Sequence, residues 1–344
     1  MKFLPIIAFL ASIPLFSQNQ YFIEDFSDEY YGKVYVNQGS ENEVFKQGKI
    51  IIYKKKTKKE IIKIQSEELA FEHNEKGAIK TNTLQLPYGE QSVLIYEDFN
   101  FDNIKDLAIQ DGQFSCYHGP SYQVYLGKTN GFTHSPEFTQ LAQEYCGMFQ
   151  VDYETKKIFT RTKSGCCWHQ FSEYIIENDL PKVILISEEG SGMSTTGYTF
   201  DTVEKRWNGS IMVKTISKKL LIEDIEESIL LRFLLEKNSK EVVLFTSEID
   251  KLNYVFTNKD GEIEFDYAVE NSDPKFTLSE TNTEISLTFK NLDATYKIYK
   301  NKNDHSMWIS VTTGKKSYYN KADAESIQGK ISVLKSKNLR NVTN

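Results

Sequence analysis

The chain has 344 residues, 40% of them hydrophobic, and a formal net charge of −7. That length suffices for one large domain or two with a buried core. The acidic balance argues against nucleic acid as a partner, because phosphate binding takes a basic surface.

Lys2 followed by the apolar run Phe3–Phe16, with Leu15-Phe-Ser17 as a small-residue cleavage signal, predicts a signal peptide over residues 1–17 and a secreted or periplasmic protein. The run is shorter than the ~20 residues a spanning helix needs, so no membrane anchor is expected. Period-two alternation then predicts strands at Tyr31–Val36, Lys49–Tyr53, Glu60–Ile64, Ser92–Tyr96, Leu107–Ile109, Ser121–Leu126, Met148–Tyr153, Lys157–Arg161 and Gln170–Ile176. The basic cluster Lys54–Lys59 lies between two of these and reads as a solvated hairpin loop. Turn signals fall at Asn37-Gln-Gly39, Thr129-Asn-Gly131 and Asp179-Leu-Pro181.

Glu188–Gly197 breaks the composition and predicts a linker or long loop, with residues 190–197 separating an N-terminal β domain (18–189) from a C-terminal one (198–344). Beyond it, strands are expected at Ser210–Ile216, Glu241–Thr246, Asn253–Thr257, Glu262–Tyr267, Glu284–Phe289, Thr295–Tyr299 and Met307–Thr312. Asn258-Lys-Asp-Gly261 is a hairpin turn, and Ile225–Leu235 reads equally as helix or buried strand. Short helices are expected only at Ser135–Gln143 and Ala322–Gln328. The fold class is therefore all-β and antiparallel, as a propeller-like array or two packed β halves.

One segment carries metal chemistry. Asp98, Asn100, Asp102 and Asp106 fall at relative positions 1, 3, 5 and 9 of an oxygen-lined calcium loop, with the Ile104 carbonyl at position 7. Asn103 occupies the sharp-turn position, where asparagine tolerates positive φ nearly as well as glycine. Ile109 replaces the bidentate glutamate of an EF-hand, so the expectation is a short strand-to-strand calcium loop.

Cys116, Cys146, Cys166 and Cys167 are an even set and read as disulfides in an exported chain. Cys166 and Cys167 would point to opposite faces of a strand and bond separate partners. Alternatively they form a vicinal ring after Ser164-Gly165, leaving Cys116 for Cys146. Both schemes are open, and a zinc site from Cys146, Cys166, Cys167, His118 and His169 is the competing reading, though it lacks Cys-x-x-Cys spacing.

No Gly-x-Ser-x-Gly, His-Glu-x-x-His, phosphate loop or dinucleotide fingerprint is present, so a binding module is expected before an enzyme. Tyr117-His-Gly-Pro-Ser-Tyr122 has the composition of a partner-contacting tip, with Tyr117 and Tyr122 as candidate contacts. Its alternative is a loop between strands with Tyr122 and Tyr125 packed inward.

Three segments together resemble a known family: Glu97–Ile109, Gly119–Leu126, and Lys163-Ser-Gly-Cys-Cys-Trp-His169 with its lead-in Tyr145–Phe149. They are similar to exported bacterial proteins with an FG-GAP-like Asp loop, a family that includes periplasmic immunity proteins inhibiting peptidoglycan hydrolases delivered by a type IV secretion system. The resemblance implies a propeller-like fold, a calcium role for the Asp loop and a protein partner, a peptidoglycan hydrolase among the candidates. A glycan-binding or adhesive module and a hydrolase on the same scaffold are the rival readings.

Overall fold

The structure is a computed structural model that describes residues 18–79, 81, 92–191, 198–246, 250–267 and 275–343. The expected signal peptide at 1–17 and most of the expected linker at 190–197 lie outside the described residues. The chain divides into two compact units, Met1–Lys163 with Gln170–Ile186, and Ser164–His169 with Ser187–Asn344. The turn bearing Cys166 and Cys167 therefore counts with the second unit.

In the first unit, β1 (Gln18–Ile23), β2 (Tyr30–Asn37), β3 (Lys46–Lys54) and β4 (Glu60–Leu69) form an antiparallel meander in sequence order. The Lys54–Lys59 cluster is the β3–β4 hairpin loop, with Lys58 at a φ of 56°. A second meander follows from β5 (Leu94–Glu97), β6 (Asp106–Ser115), β7 (Gly119–Lys128) and β8 (Gly131–His134). Next come helix α1 (Pro136–Gln143), capped by the Ser135 hydroxyl accepting the Phe138 N–H, and β9 (Gln150–Asp152), β10 (Lys157–Ser164) and β11 (Trp168–Glu177). The chain passes from one unit to the other within β12 (Leu180–Ser191).

The second meander is the middle layer of this unit. Leu107 and Ile109 pack among residues of β1 to β4, whereas Ala108 between them packs with Tyr122, Val124, Phe138 and Phe149. Alternate residues feed two cores, so β6 is buried along nearly its whole length. This explains why Leu107, Ala108 and Ile109 are apolar in succession, which a strand with one wet face would not show.

The second unit repeats the device. After β13 (Thr199–Trp207), β14 (Met212–Leu220) and the helical turn α2 (Ile222–Ile225), strands β15 (Ile229–Leu234), β16 (Glu241–Thr246), β17 (Leu252–Thr257) and β18 (Ile263–Tyr267) form one sheet. Strands β19 (Phe276–Glu280), β20 (Glu284–Asn291), β21 (Ala294–Asn301), β22 (Met307–Thr313) and β23 (Lys316–Lys321) form another. Short β24 (Gln328–Gly329) edges the first against β15, and β25 (Val342–Thr343) pairs in parallel with β19. Val242 and Leu244 of β16 face the larger core, and Val243 and Phe245 a smaller one with Leu220 and Ile225. The fold is thus all-β, mostly antiparallel, with none of its sheets closed on itself among the described residues.

Four sequence expectations change. Ile225–Leu235 is both of its readings in turn, a short helical stretch and then a strand from Ile229. Ala322–Gln328 holds only the single 3-10 turn Ala324–Ser326. The turn expected at Asp179-Leu-Pro181 sits earlier, at Asn178 and Asp179 with φ of 54° and 61°, because Pro181 is tolerated near the start of β12. Glu188–Ser191, expected as loop, is the end of β12. Gly190 there is a close-approach glycine, since a Cβ would run into the Cys167 carbonyl oxygen.

Candidate functional site

The segment between β5 and β6 forms a loop of interlocking Asx turns. Asp98 Oδ2 accepts the Asn103 N–H at 2.8 Å, and its Oδ1 accepts the Asp102 N–H at 3.2 Å. Asn100 Oδ1 also accepts from Asp102 N at 3.3 Å, and Asp102 Oδ1 accepts the Ile104 N–H at 2.8 Å. Asn103 takes the expected left-handed conformation, with φ at 67°. Asp106 is fully buried and binds backbone on both sides, accepting from Phe99 N at 2.6 Å and Gly127 N at 2.7 Å. Burial pushes its carboxyl up to about 7 against those two bonds, with Asp102 and Asp98 adding to the rise.

Sequence reasoning missed two members of this neighbourhood. Asp179, from the β11–β12 turn, accepts from Asn100 Nδ2 at 3.0 Å and from Lys128 Nζ at 2.8 Å. The hydrogen bond from Lys128 to Asp179 holds the ammonium above its ordinary range, with Asp102 and Asp106 also raising it. Seventy-nine residues separate Asn100 from Asp179, a contact no local pattern announces.

The donors Asp98, Asn100, Asp102 and Asp106 and the Ile104 carbonyl are hard oxygens and suit calcium in kind, as does the turn at Asn103. Among the described residues, no three His, Cys, Asp or Glu side chains are gathered as a metal-holding group. The thiols belong to disulfides, Cys116 with Cys146 and Cys166 with Cys167, and no described cysteine is free. The zinc reading is overturned on that ground, since zinc takes thiolates.

Beyond β6, Cys116–His118 form a 3-10 turn. Tyr117 and His118 are consecutive left-handed residues, with φ of 53° and 59°. Such conformations cost of order 1–3 kcal/mol each for ordinary side chains and persist only where the surroundings impose them. Here the Cys116–Cys146 disulfide holds one side, and Cys146 N donates to Arg161 O at 2.8 Å. On the other side the His118 ring packs edge-on against Phe45 at 4.8 Å, with its Nε2 3.7 Å from a Glu68 oxygen. The result is a Tyr117 ring 60% exposed, with Lys163 Nζ 4.7 Å from its centroid.

Tyr122 is not part of that surface. It is 1% exposed, and its hydroxyl donates to Ser92 O at 3.0 Å. The partner-contact expectation for it is corrected: strand alternation in β7 turns it inward beside Val124 and Phe138. Among the described residues, no helix is long and apolar enough to cross a membrane.

No family model matches the chain, and no curated protein matches it. Among solved structures, the chain is similar to one described as the structure of a Xanthomonas type IV secretion system related protein. The two are 18% identical with a TM-score of 0.44, over 57% of this chain and 92% of that one. At that level of likeness neither fold nor function is carried over.

Proposed function

We propose that the chain is an exported protein-binding module that contacts its partner through the Tyr117 turn, with calcium bracing the Asp loop at the opposite end of β6. The observation that carries this reading is the exposed tyrosine on two consecutive left-handed residues, locked by a disulfide. A fold that maintains strain to hold an aromatic ring in water has a use for that ring at an interface, where tyrosine is favoured as an anchor. Two disulfides suit an oxidising compartment and support export. The oxygen donors Asp98, Asn100, Asp102, Ile104 and Asp106 support calcium.

The specific partner suggested by the sequence resemblance is a peptidoglycan hydrolase, which the module would inhibit. The test is clearing of a peptidoglycan suspension by a lysozyme-type hydrolase, with and without stoichiometric protein. Inhibition that Tyr117→Ala abolishes supports the reading. Binding of the protein to peptidoglycan without any enzyme would favour a glycan module, and clearing by the protein alone would make it a hydrolase.

A further inference from the structure

Three residues before Tyr117, Phe114 lines an open groove of about 350 Å³ together with Ile64, Glu67, Lys63, Gln123 and Asp111. In a regular strand, residues three apart face opposite sides of the sheet. Asp111 and Phe114 share one groove because the pairing of β6 with β7 slips twice, between Gln110 and Gly112 and again between Gly112 and Ser115. Such bulges re-aim side chains and are frequent beside functional sites. Gly112 belongs to the device: the Phe114 ring folds back over it into the space a Cβ would take.

Asp111 is 8% exposed. Its Oδ1 accepts the Ser121 hydroxyl at 2.6 Å, and its Oδ2 accepts Gln123 Nε2 at 2.7 Å and Gln143 Nε2 at 2.5 Å. All three donors are neutral. Among the described residues no lysine, arginine or histidine forms an ion pair with it, and Lys63 is the one cation on the groove wall. A carboxylate taken from water without an opposite charge is costly, and such groups are ordinarily paired. The groove leaves that carboxylate reachable from solvent, and the Phe114 ring at its edge is 62% exposed.

The carboxylate itself narrows which cation the groove suits. Of about four acceptor sites on its two oxygens, three are occupied. A guanidinium fork needs two parallel acceptors, whereas an ammonium is a point charge that one site accommodates. An alkyl stem then lies against Phe114 and Ile64. We propose that this groove receives a primary alkylammonium, the lysine side chain of the bound partner, with Asp111 taking the charge and the Phe114 ring the stem. The chain's net charge of −7 fits a basic partner. The proposal rests on the binding-module reading only for the source of the lysine.

The test titrates the full chain with Nα-acetyl-lysine-N-methylamide, followed by NMR shifts of the Gln123 and Gln143 side-chain amides. Saturable binding is expected, weakened at least ~10-fold by Asp111→Asn, as loss of a charge-assisted contact implies, and about threefold by Phe114→Leu. The norleucine analogue should not bind. Equal binding by Asp111→Asn, equal binding of norleucine, or no saturable shift overturns the proposal. Should Asp111→Asn fail to fold, unchanged binding by Phe114→Leu overturns it instead. Tyr117→Ala should leave probe binding intact, because Tyr117 does not line the groove. A failure of that variant to affect the partner protein would therefore sink the binding-module reading while sparing the ammonium site.

Discussion

Asp106 Oδ1 accepts the Gly127 backbone N–H at 2.7 Å, so one buried side chain fastens the Asp loop to the far end of β7. Its other oxygen holds Phe99 N at 2.6 Å, closing the loop on itself. Asp106→Ala strands two buried donors, each costing roughly 1–3 kcal/mol, so a loss of about 2–6 kcal/mol in urea unfolding is expected. Asp106→Asn retains an acceptor and should lose less. A change under about 0.5 kcal/mol, the level of an ordinary surface substitution, would show that the loop is held otherwise.

Calcium should act on stability alone. Extracellular modules with comparable donor sets bind at a Kd of roughly 10⁻⁴ to 10⁻³ M. Near millimolar calcium, linkage then gives about 0.4 to 1.4 kcal/mol. Melting with calcium and with chelator measures it directly. Asp98→Ala or Asp102→Ala should remove the difference, and identical wild-type curves would end the calcium reading.

The two tyrosines of the expected tip should now part company. Tyr122→Ala empties a core site and loses its bond to Ser92, for an expected cost of about 3–5 kcal/mol. Tyr117→Ala should leave stability within about 0.5 kcal/mol yet weaken partner binding about thirtyfold or more, the ~2 kcal/mol of an interface anchor. Stability loss from Tyr117→Ala with unchanged binding by the folded fraction would remove it from the interface.

Alkaline pH tests one core in each unit. Burial raises the hydroxyl pKa of Tyr122 and of Tyr254 above the ordinary value of 10. A raised folded value means that the neutral form is the one the fold prefers. Their contribution is thus complete below pH 10 and is lost as pH climbs through the folded values. Absorbance at the tyrosinate band should show most tyrosines ionising first and these two only with unfolding. Full ionisation in a still-folded chain would contradict their burial.

Unfolding without reductant should expose no thiol. Closing the loop from Cys116 to Cys146, 30 residues apart, contributes about 3.5 kcal/mol by the loop-entropy model. The ring joining neighbours Cys166 and Cys167 closes almost no chain. Cys116→Ser should therefore lower the melting temperature far more than Cys166→Ser, and equal losses would contradict this.

Strands with one wet face were legible because alternation prints that face in the sequence, as in β2, where buried and half-buried residues strictly alternate. The vicinal pairing at Cys166 was one of two open schemes, since adjacency fits both a strand and a turn. Strand β12 was missed: its start was read as a turn, Glu188–Ser191 is polar enough to read as loop, and its pairing is a tertiary matter. The Asp loop was legible because its spacing is local. Its contact with Asp179 was not, nor was the groove at Asp111, which exists only because two bulges break the alternation that sequence reading relies on.

The locked turn at Tyr117 also has a kinetic consequence. If the proposed docking holds, a turn already fixed by its disulfide loses little freedom on binding, so the encounter needs no loop rearrangement. Variation at this position should then leave the association rate almost untouched. Its effect falls on how long the complex lasts.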